Sequence, residues 1–125
     1  YLGNLYAKRD WGHAKDYVVA MWKMLQMKNP SDYVIATGKQ YSVKYFVNLV
    51  ANELKIKIIW KGKGLKEKGY WNNKEIISID SKYFRPTEVE SLLGDAKKAR
   101  NILGWKPKYN IKSLVEEMVR EELKY

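Results

Sequence analysis

Apolar residues at positions 14, 17, 18, 21, 22 and 25 recur with a helical period and lay one broad apolar stripe along Ala14–Met27. This stripe constrains the chain most, because a helix carrying it must bury it against another layer. Asp16 falls in the first turn of that helix, and Asn29, Pro30 and Ser31 close it. Ser42 is placed to cap a second helix running through Leu54, with 43, 46, 47, 50 and 54 on one face. The short apolar runs Tyr33–Ala36, Ile56–Trp60 and Ile76–Ile79 read as strands. Asp95 can cap a short helix to Leu103, ended by Gly104 and followed by Pro107. Asn110 can cap a last helix whose apolar face is Ile111, Leu114, Val115 and Met118. Helices alternate with short strands, so the fold class is α/β. Tyr17, Met21, Trp22, Phe46 and Met118 are expected in the core.

The 125 residues make one domain's worth of chain. Cysteine is absent, which removes disulfides and thiolate metal sites, and the lone His13 is expected to be a structural or surface histidine, not a zinc ligand. No apolar run is long enough to span a membrane and no signal-peptide pattern opens the chain, so a cytoplasmic protein without membrane contact is expected. The net charge of +10 comes from lysines scattered end to end. Their densest run, Lys61–Gly69, contains three glycines and reads as a mobile loop, not as a basic helix for DNA. Nucleic acid is therefore not the expected partner.

Several catalytic signatures are missing: no G-x-G-x-x-G, no phosphate-loop motif, no H-E-x-x-H and no G-x-S-x-G. Tyr70 and Lys74 match Y-x-x-x-K, but a chain this rich in tyrosine and lysine produces that spacing by chance. Asn72 and Asn73 between them make a poor helix, so the pair is rejected as catalytic. Arginine is more telling. Against 20 lysines there are four arginines, and Arg9 and Arg85 sit in KRDWGHAKD and YFRPTEVE. A guanidinium grips phosphate oxygens with a planar fork that lysine lacks. Lys8 and Arg9 precede a helix start, where an anion is favoured, and Asp10 could cap that helix or fix the arginine. Pro86 restricts Arg85 to extended conformations, and Glu88 is suited to a diol such as a ribose. The competing reading makes these stretches a capping cluster with an ion pair, and Pro86 with Glu88 the first turn of a helix.

Taken together, LGNLYAKRDWGHAKDYVVAMWKML, DYVIATGKQYSV, WKGKGLKEKG, YFRPTEVESLLGDAKKAR and LGWKPK resemble, in this order, the C-terminal part of GDP-mannose 4,6-dehydratases. These are extended short-chain dehydrogenase/reductase enzymes with an NAD(P)-binding Rossmann-like fold. The resemblance covers essentially the whole chain. It implies that residues 1–125 are the substrate-binding portion, and that the dinucleotide-binding domain lies upstream. In the family, NADP takes hydride from C4 of the mannose in GDP-mannose, water leaves across C5 and C6, and hydride returns at C6. The product, GDP-4-keto-6-deoxymannose, feeds GDP-fucose and related deoxysugars. The resemblance implies Arg9 and Arg85 as diphosphate contacts, Glu88 as the ribose contact, and Asn4 and Lys8 as residues near the nucleotide. It places the catalytic and cofactor-binding residues outside this chain, so the isolated 125 residues are expected to be inactive. A homo-oligomer is expected of the full-length enzyme. Tyr6 departs from the family, which usually has aspartate there. The alternatives are another nucleotide-sugar reductase or epimerase of the superfamily, or a stand-alone nucleotide- or polyanion-binding module.

Overall fold

A computed structural model describes residues 1–125. The chain opens with a short strand β1 (Lys8–Arg9), followed by helix α1 (Ala14–Leu25). Strand β2 (Tyr41–Ser42) pairs antiparallel with β1 and runs directly into helix α2 (Val43–Glu53). Strands β3 (Ile59–Lys61), β4 (Lys68–Trp71) and β5 (Lys74–Ser78) form an antiparallel meander in the order β3-β4-β5. A π-type helical turn at Ala99–Leu103 and helix α3 (Ile111–Glu122) complete the α/β arrangement.

The capping residues explain most boundaries. Ser42 Oγ accepts the Tyr45 N–H at 3.0 Å, as its position before the apolar periodicity predicts. Asn110 and Ser113 exchange side-chain-to-backbone hydrogen bonds in a capping box that starts α3. Gly104 ends the π-type turn in the left-handed region with φ +64°, where a Cβ would be strained. Helix α1 is capped instead by His13, whose Nδ1 accepts the Lys15 N–H at 3.0 Å while Nε2 sits 3.0 Å from Glu117 Oε2. The histidine is thus structural, and the Nδ1 contact requires its neutral form to carry the proton on Nε2. Tyr70 and Lys74 lie on β4 and β5, joined by Asn72 and Asn73 with φ of +49° and +61°. Two central residues with positive φ make a primed hairpin turn, which excludes the helical Y-x-x-x-K arrangement.

The core departs from expectation on α1. Its buried face is Asp16 and Ala20, flanked by half-buried Tyr17 and Met24, against Ala36, Ala96, Ala99, Leu103 and Trp105. Met21 and Trp22, expected inside, are each 60% exposed, and with Val18 and Leu25 they form an uncovered stripe. Met118 is also exposed, and Val119 takes its place in the buried face of α3. The periodicity is helical as expected, but it spans two faces, and only the smaller-residue face is covered within this chain. Tyr33–Ala36, expected as a strand, has no sheet partner, although Ala36 is buried. Strand Ile56–Trp60 shifts to 59–61 because Lys55, with φ +59°, turns the chain after α2.

A buried carboxylate ties the two ends of this core together. Asp16, 4% exposed, accepts the Lys108 N–H at 3.1 Å and the Tyr109 N–H at 3.0 Å, while its backbone oxygen accepts the Trp105 indole N–H at 2.9 Å. Loss of the carboxylate leaves two partly buried backbone N–H groups unsatisfied. Asp16→Ala is expected to lower the unfolding free energy of the full-length protein by about 2–4 kcal/mol. A urea titration that shows a loss under about 0.5 kcal/mol would contradict this reading.

Candidate functional site

The backbone of Lys8 and Arg9 is held from both sides. On one side it pairs with Tyr41–Ser42; on the other, Lys8 N–H donates to Glu90 O at 2.7 Å and Leu92 N–H donates to Lys8 O at 3.0 Å. The two arginine-bearing motifs, far apart in sequence, are thereby laid side by side. Arg9 completes the junction: Nη1 donates to Lys8 O at 2.8 Å and Val89 O at 2.7 Å, and Nη2 donates to Glu88 Oε1 at 2.6 Å. A guanidinium has five N–H donors, so two remain for an oxyanion while the fork is fixed by the other three. Glu88 uses one carboxylate oxygen here and keeps the other.

The structure separates the five candidate residues into two groups. Arg9 and Glu88 meet as an ion pair, each roughly a quarter exposed, and Arg85 projects from the adjoining turn, exposed and without an ion-pair partner. That turn, at Pro86–Thr87, closes with a Glu88 N–H to Arg85 O bond of 3.2 Å and does not continue as a helix. Asn4 and Lys8 instead line a cleft of about 390 Å³ with Tyr6, Glu90 and Ser91. Alternation along the segment explains the split: 4, 6 and 8 face the cleft, while Leu5 and Ala7 are buried on the opposite side. Lys8 and Arg9 lie on a strand, not at the mouth of α1, whose first turn is already capped by His13.

Asp10 neither caps α1 nor pairs with Arg9. Its carboxylate accepts the Thr37 N–H and hydroxyl and the Gly38 N–H at 2.9, 2.5 and 2.9 Å, and approaches the Gly94 N–H at 3.4 Å. It fastens the Thr37–Gly38 turn and the Leu93–Gly94 segment to the residue beside Arg9. Glycine is required at position 94 in this packing, because a Cβ there would lie 2.2 Å from Ala36 Cβ.

Sequence reasoning missed a second cluster that braces the cleft from behind. Glu67, 2% exposed, accepts hydrogen bonds from Lys44 Nζ at 2.5 Å and from the Tyr6 hydroxyl at 2.7 Å. Lys44 Nζ also stands 4.8 Å from the Trp60 ring centroid, and Trp60 donates to Asn48 Oδ1 at 2.9 Å. The lysine–glycine segment expected to be a mobile loop is thus partly anchored, because its one glutamate is buried under α2. The available signal was that lone acid within a basic run. Burial alone would push the Glu67 carboxyl up, but hydrogen bonds from Lys44 and Tyr6 outweigh it and hold the carboxyl below its ordinary value. Burial would likewise lower Lys44, and the bonds to Glu67 and Tyr6 raise it instead. No three His, Asp or Glu side chains converge on a possible metal position.

Comparison with known proteins gives this geometry a family. A family model described as GDP-mannose 4,6 dehydratase matches residues 1–118. GDP-mannose 4,6 dehydratase 2 of Caenorhabditis elegans is 51% identical over 123 residues, 98% of this chain and 32% of that protein. The Dictyostelium discoideum GDP-mannose 4,6 dehydratase is 51% identical over all of this chain and 36% of its own length. The human GDP-mannose 4,6 dehydratase is 50% identical over 98% of the chain and 33% of its own length. The chain therefore spans about a third of the length of these curated relatives. Among solved structures, RMD from Pseudomonas aeruginosa complexed with NADPH superposes with a TM-score of 0.73 at 17% identity, over 99% of this chain and 36% of that one. UDP-glucose 4-epimerase from Thermotoga maritima with UDP-glucose gives 0.74 at 18%, over 99% and 34%. At that identity these two show the shared Rossmann-type α/β fold.

The brace behind the cleft has a pH signature. Because the folded-state pKa of Glu67 is depressed, its contribution to stability is present above the ordinary glutamate value and is lost as pH falls through the lower, folded value. Urea midpoints of the full-length protein should therefore fall on acidification below about pH 4.5, and Glu67→Gln should flatten part of that fall. Lys44→Ala, which leaves Glu67 buried without its cation, should cost about 3 kcal/mol at neutral pH. Identical acid profiles for the wild type and Glu67→Gln would rule the brace out.

Proposed function

The chain belongs to the GDP-mannose 4,6-dehydratase family, and from that premise we propose that it is the C-terminal, substrate-binding portion of an NADP-dependent dehydratase that converts GDP-mannose to GDP-4-keto-6-deoxymannose. The observation that carries the reading is the junction at Arg9, which joins the RDWG and RPTE motifs through Glu88. In this account the two unengaged N–H groups of Arg9 and the free fork of Arg85 take the diphosphate oxygens. Glu88 offers its second carboxylate oxygen to a ribose hydroxyl, and Asn4 and Lys8 reach the nucleotide from the cleft. These contacts hold the sugar in register with a reacting centre supplied by another part of the enzyme.

The 125 residues contain no strand–glycine turn–helix unit for a dinucleotide, so the nicotinamide cofactor belongs to a domain upstream of them. When bound there, NADP supplies reversible hydride acceptance. The exposed Val18–Met21–Trp22–Leu25 stripe and the unpaired backbone of 33–36 support this division, as surfaces suited to covering by that domain. A reductase or epimerase of the same superfamily is not favoured, given identities near one half to dehydratases along the whole chain. In keeping with the family, the enzyme works as a homo-oligomer in the cytoplasm, and its lysines serve solubility, not nucleic-acid binding.

Two measurements test this reading. In the full-length protein, Arg85→Ala should weaken GDP-mannose binding roughly tenfold or more, with KM rising more than kcat falls. An unchanged KM would remove Arg85 from the site. The purified 125-residue chain should show no dehydratase turnover with GDP-mannose and NADP; measurable product from it would overturn the division of labour.

A further inference from the structure

A second cavity, of about 160 Å³, lies between the segment after β1 and the loop before α3. None of Asn4, Lys8, Arg9, Arg85 or Glu88 lines it. Its walls include three aromatic rings, Trp11, Tyr41 and Tyr109, and each is backed by another ring. Trp11 stacks on Phe46 at 4.4 Å between centroids, Tyr41 on Tyr45 at 5.0 Å, and Tyr109 leans on His13 at 4.1 Å. Two walls are also tied to each other, because the Trp11 indole N–H donates to Tyr41 O at 2.9 Å. The third is fixed by the bond from its backbone N–H to buried Asp16. Rings held this way cannot collapse into the cavity, so the space is preformed.

The charged side chains that line the cavity are all of one sign, while Asp10 and Asp16 behind it are engaged by backbone N–H groups. Lys39 and Lys108 line it, both exposed and neither ion-paired. No carboxylate lines it. A preformed aromatic slot offers faces to a flat ring, and two free ammonium groups attract an anion attached to that ring. We propose that this cavity is a second ligand site, distinct from the Arg9–Glu88 junction, and that it takes a planar ring bearing a phosphate, as in a nucleoside 5′-monophosphate.

The probe is 5′-AMP, titrated into the full-length protein by calorimetry, with tryptophan fluorescence as a second readout. AMP should bind in the millimolar range or tighter, should still bind when GDP is present at a concentration that only just fills the Arg9–Glu88 junction, and should be indifferent to Arg85→Ala. The double variant Lys39→Ala/Lys108→Ala, at exposed positions that folding does not depend on, should weaken AMP roughly three- to tenfold and leave GDP binding unchanged. Raising the salt should weaken AMP in the wild type more than in the double variant. The inference is overturned if AMP fails to bind at millimolar concentration, if GDP displaces it at a concentration that only just fills the Arg9–Glu88 junction, or if the lysine pair makes no difference. The two sites fail separately. GDP binding without AMP binding sinks this inference alone, whereas AMP binding without GDP binding sinks the substrate reading alone.

Discussion

The backbone of Lys8 and Arg9 is the constraint on which the rest of the site depends. Two residues are shared between β2 on one side and the 90–92 segment on the other, so three stretches distant in sequence acquire one register. Without that pairing the RPTE turn would have no reason to lie beside the RDWG motif, and Arg9 would lose the Val89 carbonyl and the Glu88 carboxylate that fix its fork. The strand is too short to hold by itself. Its strength comes from what is attached to it: Asp10 gathers Thr37, Gly38 and Gly94 immediately beyond it, and Glu67 with Lys44 braces Tyr6 just before it.

Carboxylates do most of this fastening. Asp10, Asp16 and Glu67 each accept several hydrogen bonds from partners distant in sequence, which suits an ionised acceptor with two oxygens. The chain has 14 carboxylates against 24 lysines and arginines, and these three sit at joints between segments while most of the others lie on the surface. Tyr6 adds to the last of these joints: its phenol donates to Glu67, and its ring faces Lys44 Nζ, 5.4 Å from the centroid.

Local features of the fold were legible in the sequence and long-range ones were not. Ser42, Asn110 and Gly104 announce helix ends because capping is settled by a few neighbouring residues. The helical period of α1 was equally plain, yet which side of it is buried depends on Trp105 and Ala99, far along the chain. Met21 and Trp22 were assigned to the core because large apolar residues usually are; here they belong to a face this chain does not cover. At the site, arginine scarcity pointed to Arg9 and Arg85, and the order of motifs pointed to a family. The only trace of the Glu67 brace in the sequence is one glutamate in a lysine run, and such a residue looks like solvated surface until α2 is folded over it. Asp10 was noticed but given the wrong partners, since adjacency in sequence favours Arg9 while the strand turns the two side chains apart.

The most direct test is the structure of the full-length protein with GDP bound. The account predicts a diphosphate in hydrogen-bond contact with the guanidinium groups of Arg9 and Arg85, with a Glu88 carboxylate oxygen on the ribose and the Lys8–Arg9 pairing to both neighbours unchanged. A diphosphate bound elsewhere, with Arg85 still free in solvent and the Arg9–Glu88 pair undisturbed, would contradict it.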